Sequence, residues 1–312
     1  MMLIDLHCDT IYKMVEEEKN INFKQNKLQV DLNKLKKAQS MAQFFACFVD
    51  LQRDKNPLER ALDMIDKFYE KIGENIGNID IARNYDEIIN NNNEGKISGV
   101  LTIEGGEALK GKISNLRNFY KLGVRLVTLT WNYQNEIGYP GCVSEFKNKG
   151  LTEFGKELVC EMNRLGMIVD VSHLSDAGFY DVIKYSSKPI MASHSNSREI
   201  QNHSRNLTDD MIKALAENGG VMGLNFCNAF LSSKKIGSVG DMAKHIKHIV
   251  NVGGIDIMAV GTDFDGINNP PEIEDIGGIY KLYEELRKQG FSEEDIDKIF
   301  YKNALRVIKE VL

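Results

Sequence analysis

A (β/α)8 TIM barrel, in the α/β class, is the fold this 312-residue sequence predicts, and three observations predict it. Short apolar runs with β-branched residues recur at strand length, and amphipathic stretches of helical length separate most of them. The third observation is that ionisable side chains terminate five of these runs. Alternation of strand and helix implies parallel strands with right-handed crossovers. An open doubly wound sheet also satisfies it, but only a closed ring brings all the charged ends to a common centre, the catalytic face of barrel enzymes.

The first run, residues 3–9, ends in His7-Cys8-Asp9. Residues i and i+2 of a strand point to one side, so the imidazole of His7 and the carboxylate of Asp9 converge while Cys8 turns into the core. Further strands are predicted at 42–49, at 99–104 closing on Glu104, at 125–131, at 167–172 followed by His173, at 189–194 closing on His194, at 220–226, and at 257–263 closing on Asp263. Helical periodicity covers 57–72, 152–165, 176–185, 208–217 and 239–252. Thr152, Thr208 and Ser292 stand where helix caps belong, and segments 278–289 and 292–312 form the final cover. Residues 90–93 read as a helix end and turn, leading through Gly95 into the third strand. Long connections follow the fourth strand (132–150), the sixth (195–206) and the seventh (227–237), and loops of that length on a catalytic face shape substrate pockets. Residues 1–312 thus read as one domain.

A net charge of -6 argues against a nucleic-acid partner, which wants a concentrated basic surface. The apolar start is interrupted by Asp5, and no apolar run approaches the roughly 18 to 20 residues that cross a bilayer. Five scattered cysteines without CxxC spacing fit reduced thiols. Together these predict a cytoplasmic protein with no membrane partner.

His7, Asp9, Glu104, His173 and His194 form a mixed nitrogen and oxygen set suited to divalent metals, zinc first. One metal leaves a charged group over; two metals sharing Glu104 use all five and keep positions open for water. Such a pair generates hydroxide at neutral pH and polarises a carbonyl. Asp263 is then placed to take a proton from that water and pass it to a leaving amine. Singly, each residue has a plainer reading: Glu104 as a helix cap, His173 and His194 as loop polar groups. Jointly those readings require five coincidences on one barrel face. His245 and His248, spaced i, i+3 on a helix, read as a solvated or packing pair, and His203 is left unassigned.

The runs Asp5-Leu6-His7-Cys8-Asp9, Ile103-Glu104-Gly105-Gly106-Glu107, Asp170-Val171-Ser172-His173, Ala192-Ser193-His194-Ser195, Ser204-Arg205-Asn206 and Gly261-Thr262-Asp263-Phe264-Asp265-Gly266 resemble the membrane (renal) dipeptidase family, peptidase family M19, in order and spacing. The resemblance spans residues 3 to about 308. It implies a barrel with a binuclear zinc site that hydrolyses dipeptides, often tolerating a D-residue at the carboxyl end. His7 and Asp9 would bind one zinc, His173 and His194 the other, and Glu104 would bridge them. Arg205 would grip the substrate carboxylate, which suits a planar guanidinium, and Asp263 would contact the substrate amine and move a proton. A homodimer is expected on the same ground.

One departure qualifies the activity. Family dipeptidases carry a histidine at the end of strand four that helps polarise the scissile carbonyl, where this chain has Trp131, followed by Asn132. Tryptophan offers only an indole N–H, and losing one such donor typically lowers turnover roughly 100- to 1,000-fold. Asn132 or the indole itself is a candidate substitute in contacting substrate. Alternatives are a deacylase or deaminase of another small amide on the same barrel, and a binding protein that has lost the chemistry.

Overall fold

The computed structural model describes residues 2–16, 21–268 and 271–312. Its single parallel sheet is built from β1 (Leu3–Cys8), β2 (Ser40–Phe48), β3 (Ile79–Ile81), β4 (Ile97–Glu104), β5 (Leu126–Thr128), β6 (Ile168–Asp170), β7 (Met191–Ala192), β8 (Val221–Leu224) and β9 (Met258–Val260). Pairing of β1 with β9 and of β2 with β4 closes all of these but β3 into a ring of eight. The expected (β/α)8 barrel is thereby formed. The additional strand, β3, is short and lies beside the start of β4, pairing Ile79 with Ile97.

One apolar cluster takes a side chain from every strand of the ring: Ile4, Phe44, Val100, Leu126, Ile168, Met191, Val221 and Ala259 among them. It is the barrel interior. Ala304, Val307 and Ile308 from the helix Asn303–Val311 join it and stop its N-terminal end, leaving the other end for chemistry. A larger cluster fills the space between strands and outer helices.

The predicted helices are present as Pro57–Gly73, Glu153–Leu165, Asp176–Tyr185, Asp209–Glu217 and Val239–Gly253. Thr152, Thr208 and Ser292 cap as expected, accepting from Gly155, Met211 and Asp295 backbone N–H groups. The final cover is interrupted: a π-turn at Lys298–Lys302 separates Glu293–Asp297 from Asn303–Val311. Helices at Thr10–Glu16, Leu32–Lys37 and Ile113–Lys121 lie outside the predicted segments. Among the described residues no helix is long and apolar enough to cross a membrane.

Two strand irregularities aim the site. β1 shifts register between Asp5 and Cys8, so that Leu6 feeds the interior cluster while Cys8 belongs to the outer one. A bulge of this kind re-aims side chains near active sites, here His7. Further round the ring, a Cβ on Gly261 would stand 1.7 Å from Ser193 O and one on Gly223 2.0 Å from it, so only glycine permits this approach of β7, β8 and β9.

A candidate metal centre at the open end of the barrel

Six of the predicted site residues meet at the C-terminal ends of the strands. Glu104, the last residue of β4, faces two groups at once. Its Oε2 lies 3.2 Å from His7 Nε2, and His7 Nε2 lies 3.5 Å from Asp9 Oδ2. Its Oε1 lies 3.0 Å from His173 Nε2 and 3.4 Å from His194 Nε2. One carboxylate therefore serves two donor sets, His7 with Asp9 and His173 with His194. Asp263 Oδ1 stands 4.0 Å from His7 Nε2, beside both.

These residues fit bound cations. His7 Nδ1 and Nε2 and Asp9 Oδ1 are buried with no hydrogen-bond partner among the described residues, although the carboxylates are near, because the geometry is not that of a direct bond. His173 and His194 bring their Nε2 atoms within 3.0 Å of each other. Burial without compensation is costly, and a divalent cation ligated by imidazole and carboxylate removes the cost.

The electrostatics agree. Burial, and then the Arg205 cation, push His173 down to about 4, and burial drives His194 down further, so both are neutral and fit to ligate. Burial also opposes a charge on His7, yet the Glu104 and Asp9 carboxylates carry it well above the usual histidine range, so that without a cation a proton on this ring answers the two carboxylates, a role a bound cation would take over by displacing it. Burial would raise Glu104, but His7 and hydrogen bonds from the neighbouring imidazoles hold it well below the usual range. Asp263 is pushed up to about 7 by burial, reinforced by the Asp9 and Glu104 charges against the pull of His7.

Supporting groups fix these side chains. Asp170 accepts from Thr128 Oγ1 at 2.5 Å and Ser193 Oγ at 2.6 Å, and Ser193 Oγ lies 2.7 Å from His194 Nδ1. Asn225 Nδ2 donates to Asp263 Oδ2 at 2.9 Å, leaving Oδ1 toward the centre. Asp265 accepts from Thr10 Oγ1 at 2.6 Å and from the Gln29 N–H at 2.7 Å. Sequence reading did not assign Asn225 or Asp265. The signals were an asparagine inside the apolar run 220–226, and an acid two residues beyond Asp263. His173, Asp263 and Asp265 have φ of 69°, 62° and 67°, a left-handed backbone that favours glycine.

A cavity of about 370 Å³ opens over the centre, lined by Glu104, Asp9, His173, Asp263, Trp131 and Asn132, with Tyr12, Phe48, Phe230 and Ile267 as its apolar walls. Trp131 meets Phe48 at 4.7 Å and Tyr133 at 5.4 Å between ring centroids. Arg205 does not line the cavity. It is buried, its guanidinium 5.5 Å from the centre of the Phe230 ring, its Nη2 donating to His194 O at 3.2 Å and its Nε without a partner. No described carboxylate pairs with it within 4.0 Å.

His245 and His248 are not one solvated or packing pair. His248 bonds Asp209 at 2.7 Å, whereas His245 is fully buried, accepting from the Ser197 N–H at 3.2 Å and bonding Leu231 O at 2.9 Å. His245 thus ties the loop after β7 to the turn that carries the Phe230 wall. Burial, against the pull of the Leu231 carbonyl, pushes it from 6.5 down to about 4. The unfolded chain then takes up a proton between those values and the folded chain does not, so stability is lost as pH falls through this window. Urea melts should show about 2 kcal/mol more stability lost between pH 7 and pH 5 in the parent chain than in His245→Gln. Asp5 and Asp265, both raised to about 6 mainly by burial, act in the opposite sense but equally in the two chains. Equal losses would remove His245 from this role. His203 packs on Phe230 at 4.6 Å and accepts from the Arg205 N–H at 3.1 Å, away from the centre.

Comparison with known proteins agrees with this geometry. Residues 1–312 match the profile of the membrane dipeptidase family, peptidase family M19. An uncharacterised dipeptidase of Schizosaccharomyces pombe is 33% identical over 304 residues, covering 90% of this chain and 71% of its own. A metallopeptidase of Rhodobacter sphaeroides, solved with a phosphinate mimic of the dipeptide L-Ala-D-Ala, superposes with a TM-score of 0.92 at 25% identity, over 100% of this chain and 99% of that one. A dipeptidase of family M19 superposes with a TM-score of 0.93 at 26% identity, over 100% and 98% of the two chains.

Proposed function

The chain belongs to the membrane dipeptidase family, peptidase family M19, and from that premise we propose that it hydrolyses the peptide bond of dipeptides at a two-zinc site, including dipeptides with a carboxyl-terminal D-residue. The observation that carries the substrate reading is Arg205, a buried cation with a free Nε and no carboxylate partner among the described residues. A buried cation is stable only when paired, and a dipeptide carboxylate supplies the missing partner. The dipeptide mimic bound by the Rhodobacter relative supports the same substrate class.

In this reading His7 and Asp9 would hold one zinc, His173 and His194 the other, and Glu104 would serve both. The chemistry zinc would supply when bound there is polarisation of the scissile carbonyl and hydroxide at neutral pH. Asp263, oriented by Asn225, accepts a proton at Oδ1 from the attacking water and returns it to the leaving nitrogen. Arg205, buried behind the Phe230 wall, would orient the substrate through its carboxylate once that wall gives access to it, and Trp131 and Phe48 line the cavity and exclude water. The cysteines Cys8, Cys47, Cys142, Cys160 and Cys227 are all unpaired, which favours a reducing, cytoplasmic setting.

Trp131 favours one second reading, hydrolysis of another small amide as a deacylase or deaminase. Its indole N–H has no hydrogen-bond partner among the described residues and it packs as a wall, unlike an ionisable catalytic group. Amine release from a panel of L,L- and L,D-dipeptides by zinc-reconstituted protein separates the readings. Chelator-sensitive cleavage is expected. Cleavage only of non-peptide amides would favour the second reading, and none of either would remove both.

A further inference from the structure

We propose that Asn132 is a positioning residue that sets the tautomer of His173 and so holds the zinc at the His173 side of the centre, an inference that rests on the two-zinc reading above. Asn132 Oδ1 lies 3.1 Å from His173 Nδ1. An amide oxygen only accepts, so Nδ1 carries the proton and the lone pair of the neutral ring falls on Nε2. That is the atom 3.0 Å from Glu104 Oε1 and 3.0 Å from His194 Nε2. Turned the other way, the amide would present its N–H group to Nδ1 and move the ring proton onto Nε2, where it would obstruct ligation.

His173 needs such a tie. His7 lies within the paired strand β1, whereas His173 sits beyond β6 on left-handed backbone at φ 69°, and no strand pairing aims its ring. His194 meets the same need differently, through Ser193 and the buried carboxylate of Asp170. The tie on His194 is thus backed by a carboxylate, and the one on His173 by a neutral amide alone.

Trp131 gains a purpose from this. Its ring is held edge-on between Phe48 and Tyr133, and Cys142 Sγ donates to the Asn132 backbone carbonyl at 3.6 Å, so the Trp131-Asn132 pair is fixed from both sides. The residue that departs from the family pattern anchors its neighbour against a metal ligand.

Competitive zinc titration of the full chain tests this. Asn132→Ala is expected to weaken one of two zinc ions by about 10- to 100-fold and leave the other unchanged. Asn132→Asp, which keeps an acceptor oxygen, is expected to restore the affinity. With cobalt(II) in place of zinc, the visible absorption of the Ala variant should differ from the parent's. Melting of the metal-free variants controls for unfolding. If the parent binds two zinc ions and Asn132→Ala binds both equally well, or if Asp does not repair the loss, the inference fails alone. A parent chain that binds no pair of zinc ions overturns it together with the two-zinc reading, and a parent that binds two zinc ions yet cleaves no dipeptide overturns only the substrate assignment.

Discussion

Glu104→Gln should abolish most of the activity, lowering kcat/KM for dipeptides by on the order of 10³-fold or more, since the proposed metal pair would supply several kcal/mol of transition-state stabilisation. The two oxygens of Glu104 face different donor sets, Oε2 toward His7 and Oε1 toward His173 and His194. Glutamine keeps the shape but has one oxygen and one N–H group. Whichever way it turns, one set meets a donor where it needs an acceptor. The lost charge also removes much of what holds His7 above its usual range. Zinc content should fall below two per chain alongside the activity. A Glu104→Gln protein that keeps two zinc ions and near-parental turnover would show that the bridge is not needed.

Arg205→Lys should separate binding from chemistry. Losing a hydrogen bond to a charged group typically costs about 1.5–3 kcal/mol, which predicts a rise in KM of roughly 10-fold or more with a smaller change in kcat. Lysine keeps the charge but not the planar fork, and its ammonium cannot reproduce the free Nε beside the Phe230 ring. Dipeptide amides, which lack the carboxylate, should be poor substrates for the parent enzyme and no poorer for the variant. If Arg205→Lys weakens acid and amide substrates equally, Arg205 supports the loop around His203 and does not read the substrate carboxylate.

The barrel and the convergence of His7, Asp9, Glu104, His173 and His194 were legible because period-2 apolar runs and charged run ends are local signals. The i, i+2 argument paired His7 with Asp9 correctly, although it assumed a regular strand and β1 is bulged. β3 escaped because three residues with Asp80 in the middle carry too little pattern to register. The helix Thr10–Glu16 was hidden directly behind the ligand pair, within the same run of sequence. What holds the site was not legible. Asn132 and His173 are 41 residues apart, and Asn225 and Asp263 are 38 apart, so these bonds exist only once the ring has closed. That no carboxylate among the described residues pairs with Arg205 is likewise a property of the fold. Sequence could propose the residue but not that it is buried and unpaired.

The left-handed backbone at His173, Asp263 and Asp265 has a consequence for how this protein can evolve. A non-glycine residue there stores of order 1 kcal/mol or more, which glycine would release. Yet glycine at these positions would delete the proposed zinc ligand His173, the proposed proton carrier Asp263, or Asp265, which lines the cavity and ties Thr10 to Gln29. Durability and chemistry therefore draw on the same three codons. Selection for heat resistance alone would erode the centre before it eroded the barrel, leaving a sturdier chain with nothing to catalyse.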